Sequence, residues 1–580
     1  MTSLTSYLSG IVGAAFDKAG LPAELGRVTV SDRPDLAQYQ CNGALAAAKE
    51  AKKNPREVAQ AVAAVLQNDP QFAKIEIAGP GFINLTLTDA ALAGYLASHH
   101  GERPDEGTGA TVVIDYGGPN VAKAMHVGHL RAAIIGDSVR RTLGYAGYKT
   151  FGDVHLGDWG TNIGMLIDNY ITTGEAATVM DADLDKEADV ARLVDDMAER
   201  YPRAAALAKE DPAVMARAQA ATVALQNKEA PHYPLWEKIR AISIADIKKN
   251  YDALGVSFDL WKGEADVHDL IAPMVDELKA KGYAVESEGA WVVPVSANDD
   301  KKDYPPLILY KRDGAVMYGT TDLATIVERV KLYAPEKIVY VVDQRQSLHF
   351  EQVFRAARLG GIAGDAVELT HAGFGTMNGT DGKPFKTRAG GVMRLEELIA
   401  MAREKAEARM QEANLAEDMD EAERSDVAHK VAIAAIKFAD LQNARQADYV
   451  FDLDRLTRFE GKTGPYLLYQ AVRIKSLLRK AGYEDSAAPL LLQDGDRELA
   501  LTLMQGDDAV ELAARHYAPH YLCEYAYRLA QVFSSFYGNC HILSEEDAVL
   551  RASRLRLCAM TLEMLERVLG LLGIDLPERM

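Results

Sequence analysis

The sequence lacks the features of secreted, membrane-embedded and zinc-stabilised proteins. It has only 4 cysteines among 580 residues and no Cys-x-x-Cys pair, so neither a disulfide framework nor a structural zinc site is expected. It contains no run of about 20 apolar residues, so no membrane span is expected. Residues 1–20 carry Asp17 and Lys18 and lack the basic start and long apolar core of a signal peptide. Free thiols without an export signal predict a cytoplasmic protein.

Positive charge is also scarce. The chain has 64 Lys and Arg residues against 84 Asp and Glu residues, a formal net charge of −20. This balance favours solubility and disfavours nonspecific binding to nucleic acid. Residues 455–580 differ, because they hold 15 basic and 17 acidic residues, a net of −2. A nearly neutral region is typical of an RNA-contacting domain in an acidic enzyme and equally of an ordinary helical bundle.

The chain is too long for a single core, and its length predicts about three or four domains. Residues 1–99 have the pattern of a small α+β unit, and a linker rich in glycine, proline and acidic residues follows at 100–110. Within this unit the pattern predicts helices near 2–20, 35–52 and 56–67 and strands at 72–77 and 82–87.

Residues 111–395 alternate strands with helices, which predicts a parallel sheet of the Rossmann type. The strand candidates are 111–116, 150–155, 290–295, 307–311 and 337–342. Residues 178–250 are helical and highly charged, as expected of an insertion. A helical connection at 396–454 and an almost wholly helical segment at 455–580 complete an α/β multidomain protein.

The most informative segment runs from the strand at 111–116 through a small-residue turn to a helix starting near residue 130. This order is that of a mononucleotide-binding unit, in which the helix N-terminus binds phosphate. His126 and His129 lie three apart and project from one face, where both could donate hydrogen bonds to phosphoryl oxygens. Gly128 lets a base or ribose approach the backbone. Two surface histidines are the alternative interpretation.

A glycine-rich loop at 382–391 carries Lys386 and Arg388 and could provide a second cationic arm. Such a loop can fold over a triphosphate and then withdraw. An isolated pattern of this kind is more often a solvated basic turn. Its place after the second half of the predicted sheet favours a function.

These motifs together resemble the arginyl-tRNA synthetases, a family of class I aminoacyl-tRNA synthetases. His126-Val-Gly-His129 is similar to the HIGH signature of the class, and the longer string 119–131 is similar to the arginine family in particular. The resemblance extends from about residue 30 to the last residue, through the segments 155–164, 318–322, 343–346, 382–391, 459–466 and 572–580.

The resemblance implies that ATP is bound by Pro119, Gly128, the two histidines and Thr387, with Lys386 and Arg388 acting on the leaving group. In this family's class the loop signature is KMSKS, and Thr387 stands here in place of its second lysine. The resemblance therefore implies that Lys123, just ahead of the histidines, is the substitute cation.

An arginine substrate needs a planar carboxylate partner for its guanidinium and an aromatic or amide neighbour. Tyr318 and Asp322, four apart at an expected helix start, offer both. The resemblance places the arginine side chain against them with Gln346 nearby, and places Asp115 and Asn120 around the polar ends of the substrate. A plain helix cap is the alternative role of Asp322.

The RNA-binding residues are less evident. Seven basic residues against one acid lie between 455 and 480, with tyrosines interleaved, a pattern that can stack bases and hold phosphates. Tyr466 is the candidate within this pattern. The resemblance makes 455–580 a helical anticodon-binding domain with Tyr537 and residues 547–553 on its working surface. It also places Phe82 and Asn84 at the tRNA elbow. The alternatives are that Phe82 faces inward and Asn84 lies in a turn, and that the C-terminal aromatic residues belong to the core.

The resemblance implies an enzyme that activates L-arginine with ATP and Mg²⁺ and then esterifies the 2′-OH of the terminal adenosine of tRNA(Arg). It implies a monomer without a tightly bound metal or prosthetic group. One rival is another HIGH-type adenylate-forming enzyme, which the helical C-terminal domain and the Tyr318–Asp322 pair disfavour. The other is a non-catalytic RNA-binding relative, which would be expected to have lost the site residues.

Overall fold

The computed structural model describes residues 3–31, 33, 36–99, 107–312, 314–383, 393–415, 418–484, 490 and 492–580. Among these residues, every helix is too short or too polar to cross a bilayer.

The N-terminal unit is a four-stranded antiparallel sheet with helices on one face. Its strands run in the order β1-β2-β4-β3. The elements are α1 (Leu4–Lys18), β1 (Val28–Val30), β2 (Tyr39–Cys41), α2 (Gly43–Ala51), α3 (Pro55–Leu66), β3 (Phe72–Ala78), β4 (Phe82–Leu87) and α4 (Asp89–His99). The expected helix at 35–52 was wrong in its first part, because β2 occupies residues 39–41 and pairs with both β1 and β4.

A four-stranded, all-parallel sheet forms the centre of the molecule, in the order β11-β10-β5-β6. Its strands are β5 (Thr111–Tyr116), β6 (Lys149–Asp153), β10 (Lys337–Val341) and β11 (Glu368–His371). The helices around it are α5 (Leu130–Tyr145), α11 (His268–Ala280), α12 (Tyr318–Tyr333) and α13 (Ser347–Leu359). The predicted Rossmann-type core is thus confirmed.

Two of the predicted parallel strands belong elsewhere. β8 (Ala290–Val293) and β9 (Leu307–Tyr310) pair antiparallel with each other, and β8 pairs with β7 (Val285–Ser287). They form a separate three-stranded sheet. Residues 288–289, which join β7 to β8, are too few for the helical crossover that parallel neighbours need, and residues 294–306, which join β8 to β9, contain no helix.

The region predicted as an insertion is helical, and helices also make up most of the C-terminal part. Residues 178–250 contain α8 (Glu187–Glu210), α9 (Pro212–Gln226) and most of α10 (His232–Ala253), while α7 (Ala176–Met180) overlaps their start and α6 (Thr161–Thr172) precedes them. The C-terminal part contains β12 (Met377–Asn378), α14 (Leu395–Glu412), α15 (Glu421–Leu441), β13 (Tyr449–Val450), α16 (Leu453–Leu456), α17 (Gly464–Ala481), α18 (Asp494–Met504), α19 (Gly506–His516), α20 (His520–Asn539) and α21 (Ala548–Leu571).

A glycine sets the position of α5, the helix that follows the histidine turn, on the central sheet. A Cβ atom at Gly136 would lie 2.2 Å from Cγ and 2.3 Å from Cβ of Tyr116, the last residue of β5. Both residues are buried. The absence of a side chain at Gly136 therefore allows α5 to approach the strand closely enough to hold the histidine turn at its carboxyl end.

We predict that Gly136→Ala will destabilise the protein by about 1–3 kcal/mol, because the added methyl group overpacks a rigid ring contact. Gly144→Ala is the matched control on the same helix, since its Cβ would meet only the hydroxyl oxygen of Thr150 at 3.5 Å. Thermal denaturation of the two variants measures the difference. Equal melting temperatures would contradict this account of the contact.

Candidate active site

The two histidines form a compact hydrogen-bonded turn ahead of α5. Residues Val127–His129 make a single 3-10 turn, and α5 begins at the next residue. The backbone N–H of Gly128 donates to Nδ1 of His126, and the backbone N–H of His126 donates to Nδ1 of His129, each at 3.1 Å. Because both Nδ1 atoms accept, each neutral ring carries its proton on Nε2 and can donate from there.

Both imidazoles are held neutral. Burial, with a smaller contribution from Lys123, lowers the pKa of His126. Burial and the neighbouring His126 lower the pKa of His129 to about 3. The ring centroids lie 4.0 Å apart, so protonation of one ring disfavours protonation of the other. The pair therefore offers two uncharged donors at neutral pH.

A cavity of about 380 Å³ opens at the carboxyl ends of β5 and β10, beside the histidine turn. This is the edge at which ligands bind in open parallel sheets. Six of the predicted site residues line it: Asp115, Gly128, His129, Tyr318, Asp322 and Gln346. The structure thus brings residues from three separate sequence segments into one pocket.

A buried ion triad lies at the floor of this cavity. Nη2 of Arg329 donates to Oδ2 of Asp115 and to Oδ2 of Asp153, each at 2.6 Å. Burial raises the pKa of Asp115, and Arg329 opposes that rise. Ligand atoms of Asp115, Asp153 and His155 lie within 4.8 Å of one another, a grouping that could hold a metal ion. The guanidinium already supplies the positive charge that these carboxylates need.

Acidic groups surround the other part of the cavity. Oδ2 of Asp322 lies 2.5 Å from Nε2 of His349, and Tyr318, one helical turn earlier on α12, is 65% exposed. Asp322 lies within α12, whose N-cap is Met317, so the helix-cap alternative was wrong. Burial raises the pKa of Glu264 to about 7, with a further contribution from Asp322.

Three further predicted residues, Pro119, Asn120 and Lys123, are not among the residues that line the cavity. The carbonyl of Pro119 accepts from the backbone N–H of Gly157 at 3.2 Å, and Asn120 forms a parallel bridge to the same residue. Lys123 is exposed, and its Nζ lies 4.5 Å from the ring centroid of Tyr201 on α8. The predicted Lys386, Thr387 and Arg388 lie outside the described residues.

The candidate RNA-contacting residues lie in the N-terminal sheet and in the C-terminal helices. Asn84 is in the interior of β4 and accepts from Nε2 of Gln40 at 2.9 Å. It is therefore not a turn asparagine. Phe82, two residues earlier on the same face of β4, is only partly buried. In the C-terminal helices, Tyr466 packs edge-on against Tyr527.

Tyr537 stacks under a cation. The guanidinium carbon of Arg473, on α17, lies 4.1 Å from the ring centroid of Tyr537 on α20. Both side chains are partly exposed. A stacked arginine and tyrosine form a flat, positively charged surface of the kind that unpaired bases contact.

Among the residues that were not predicted from the sequence, His155 and His349 line the pocket. Arg329 binds the lining residue Asp115, and Glu264 interacts electrostatically with the lining residue Asp322. Arg329 could have been identified from the sequence, because it follows Asp322 by seven residues and so lies on the same face of α12. Glu264 and His349 lie in motif-free segments and reach the site only through the tertiary fold.

A parallel sheet that carries a His-x-Gly-His turn between its first strand and the following helix defines a class I aminoacyl-tRNA synthetase core. Residues 92–453 match the family "tRNA synthetases class I (R), catalytic domain". Residues 467–580 match the "DALR anticodon binding domain", and residues 4–87 match the "Arginyl tRNA synthetase N terminal domain". The chain belongs to the arginyl-tRNA synthetase family.

Relatives that match over their whole length support the same family assignment. The chain is 49% identical to the arginine–tRNA ligase of Hyphomonas neptunium and 45% identical to that of Alkaliphilus oremlandii, with 100% of each chain covered. Among solved structures, it is similar to the arginyl-tRNA synthetase of Plasmodium falciparum (TM-score 0.83, 25% identity). It also shares the fold of the Thermus thermophilus enzyme (TM-score 0.84, 24% identity), and both comparisons cover 100% of each chain.

The depressed pKa of His129 predicts a pH dependence of stability. The imidazole of His129 has its ordinary pKa of 6.5 in the unfolded chain and a pKa of about 3 in the folded chain. Between these two values the unfolded chain binds a proton that the folded chain does not, so the protein loses stability as the pH falls from about 6.5 to about 3. We expect the wild type to lose up to about 2 kcal/mol more than His129→Asn between pH 6.5 and about pH 4.5. Urea unfolding at several pH values measures this, and parallel curves would contradict it.

Proposed function

We propose that this protein ligates L-arginine to tRNA(Arg) in two steps at the cavity described above. ATP and arginine first form arginyl-adenylate and pyrophosphate, and the arginyl group then passes to the 2′-OH of the terminal adenosine of the tRNA. The observation that carries the proposal is the meeting, in one cavity, of His129, one member of the neutral histidine pair, with Asp322 and His349. Family membership over the full length supports the same reaction.

In the first step the arginine carboxylate attacks the α-phosphorus of ATP, bound with Mg²⁺ as substrate. The attacking oxygen forms a bond to phosphorus as the bond to the pyrophosphate oxygen breaks. His126 and His129 donate from Nε2 to phosphoryl oxygens as charge develops there, and their neutrality spares them the cost of a buried charge. Lys123, together with Lys386, Thr387 and Arg388, would stabilise the leaving pyrophosphate.

Arginine recognition rests on a carboxylate at the end of the cavity formed by α12. Asp322 is the proposed guanidinium partner, with Tyr318 and Gln346 beside it and Asp115 and Asn120 toward the polar ends of the substrate. We add Glu264 as a second acidic group, because burial raises the pKa of its carboxyl and both Asp158 and Asp322 contribute to that rise. A cationic guanidinium would bring that pKa down and bind both groups.

The tRNA is proposed to contact both ends of the chain. Phe82 and Asn84 would meet it from the N-terminal sheet, and Tyr466 and Tyr537 from the helical bundle. We divide the chain accordingly into domains at 1–99, 111–395 with its insertion at 178–250, 396–454 and 455–580. We further propose a cytoplasmic monomer that holds no tightly bound metal or prosthetic group.

Arginine-dependent ATP–pyrophosphate exchange, with and without purified tRNA(Arg), tests the proposal. We expect arginine to support exchange in at least one of the two conditions. Exchange with a different amino acid alone would assign another substrate to the site. No exchange with any amino acid would favour a non-catalytic RNA-binding relative.

We predict that Asp322→Asn will raise the KM for arginine at least tenfold more than the KM for ATP, because a buried guanidinium without its charged partner loses more than about 1.4 kcal/mol. Asp276→Asn, at an acid with a 76% exposed side chain on α11, is the matched control and should leave both constants unchanged. Pyrophosphate exchange at varied arginine and ATP gives both values. Parallel increases in the two KM values would remove Asp322 from the arginine site.

We predict that Lys123→Ala will lower the rate of adenylate formation by about 10²-fold or more, as loss of a preorganised charge does, while tRNA binding persists. Lys248→Ala is a suitable control, since its Nζ also lies over an aromatic ring, 4.9 Å from the centroid of Trp261, whereas Lys123 interacts electrostatically with His126. Single-turnover activation and filter binding of tRNA measure the two effects. Unchanged activation kinetics would refute the role of Lys123.

A further inference from the structure

Arg131 connects the histidine turn to a distant part of the chain. It lies in the first turn of α5, two residues after His129, and its side chain is 3% exposed. Nε pairs with Oδ2 of Asp440 on α15 at 2.9 Å, and that carboxylate is fully buried. A buried arginine in this position is oriented by its partner and cannot move independently of α15.

The remaining donors of Arg131 bind backbone carbonyls of two other segments. Nη1 donates to the carbonyl oxygen of Gly375 at 2.6 Å and to that of Ala447 at 3.2 Å. Nη2 donates to the carbonyl oxygen of Arg445 at 3.5 Å. Its guanidinium also lies over the ring of Phe374, 5.6 Å from the centroid. Phe374 lines the active-site cavity.

Residues 373–378 and 445–450 are themselves joined. β12 pairs with β13 in parallel, and the backbone N–H of Thr376 donates to Oδ1 of Asp448 at 2.6 Å. Nε of Arg445 donates to the carbonyl oxygen of Tyr517 in the C-terminal helical bundle at 3.1 Å. One buried side chain thus holds the cavity wall at Phe374, and the segment that leads into the helical bundle, against the helix that begins at the histidine turn.

We propose that Arg131 is a positioning residue for ATP, which fixes the separation between the histidine turn and the Phe374 segment by clamping both to residues 445–450. This inference rests on the assignment of the histidine turn to ATP in the proposed function. None of the bonds of Arg131 reaches α12, which carries Tyr318 and Asp322. Loss of these contacts should therefore impair the use of ATP more than the binding of arginine. A general loss of stability would impair both equally.

The test is pyrophosphate exchange by Arg131→Lys, which keeps the charge but not the fork of donors. We expect kcat/KM for ATP to fall at least tenfold and the KM for arginine to stay within twofold. Arg141→Lys, at an arginine of the same helix that binds Asp137 and the carbonyl of Gly570, should leave kcat/KM for ATP within twofold. If Arg131→Lys does not fold, Asp440→Asn replaces it in the test, because asparagine keeps the shape of the partner. It should likewise lower kcat/KM for ATP and leave the KM for arginine unchanged.

Equal losses for ATP and arginine, or no loss in a folded variant, would overturn the positioning role while leaving the proposed function intact. Absence of arginine-dependent exchange in the wild type would instead mean that the proposed function has failed. The two failures are therefore distinguishable in one set of assays.

Discussion

The ion triad of Arg329 with Asp115 and Asp153 is the interaction on which the site depends. It joins the carboxyl ends of two neighbouring strands, β5 and β6, to the middle of α12. All three side chains are buried, so removing the guanidinium would leave two adjacent carboxylates without a counter-charge, which is far more costly than losing a surface pair. The strand ends that frame the cavity and the helix that carries Tyr318 and Asp322 therefore keep a fixed relation.

A second set of buried polar contacts attaches the catalytic core to the C-terminal helices. Lys437, on α15, donates to the carbonyl of Gly573 at 2.6 Å, and burial lowers its pKa to about 8. Together with the Arg131–Asp440 pair, one turn further along α15, it gives that helix two ionisable contacts with neighbouring segments. Such groups are poor sources of net stability, but they fix orientation, because each has partners in only one arrangement.

The sequence predicted the parts of the fold that local pattern governs. The strand at 111–116 and the following helix start at residue 130 are observed as predicted, because an apolar run, small residues and an amphipathic repeat occur in order. The sheet membership of β8 and β9 was not predictable from their composition, since a short apolar strand has the same pattern in either kind of sheet. Likewise β2 has three residues, and only its pairing with β1 and β4 makes it a strand.

The distinction between local sequence pattern and tertiary contact applies to the site as well. Residues within contiguous motifs, such as His126, His129 and Asp322, could be proposed from the sequence because their spacing itself carries meaning. Glu264 and His349 come from segments far apart in sequence, and their chemistry arises from burial and proximity that spacing does not encode. Their placement shows how the pocket divides its electrostatics. The histidine side is neutral and braced by backbone hydrogen bonds, suited to charge that appears during reaction, whereas the α12 side carries the carboxylate of Asp322 beside His349. Under the proposed function, a cationic side chain would bind at α12 and leave its carboxylate end facing the phosphate-binding turn, the orientation that adenylate formation requires.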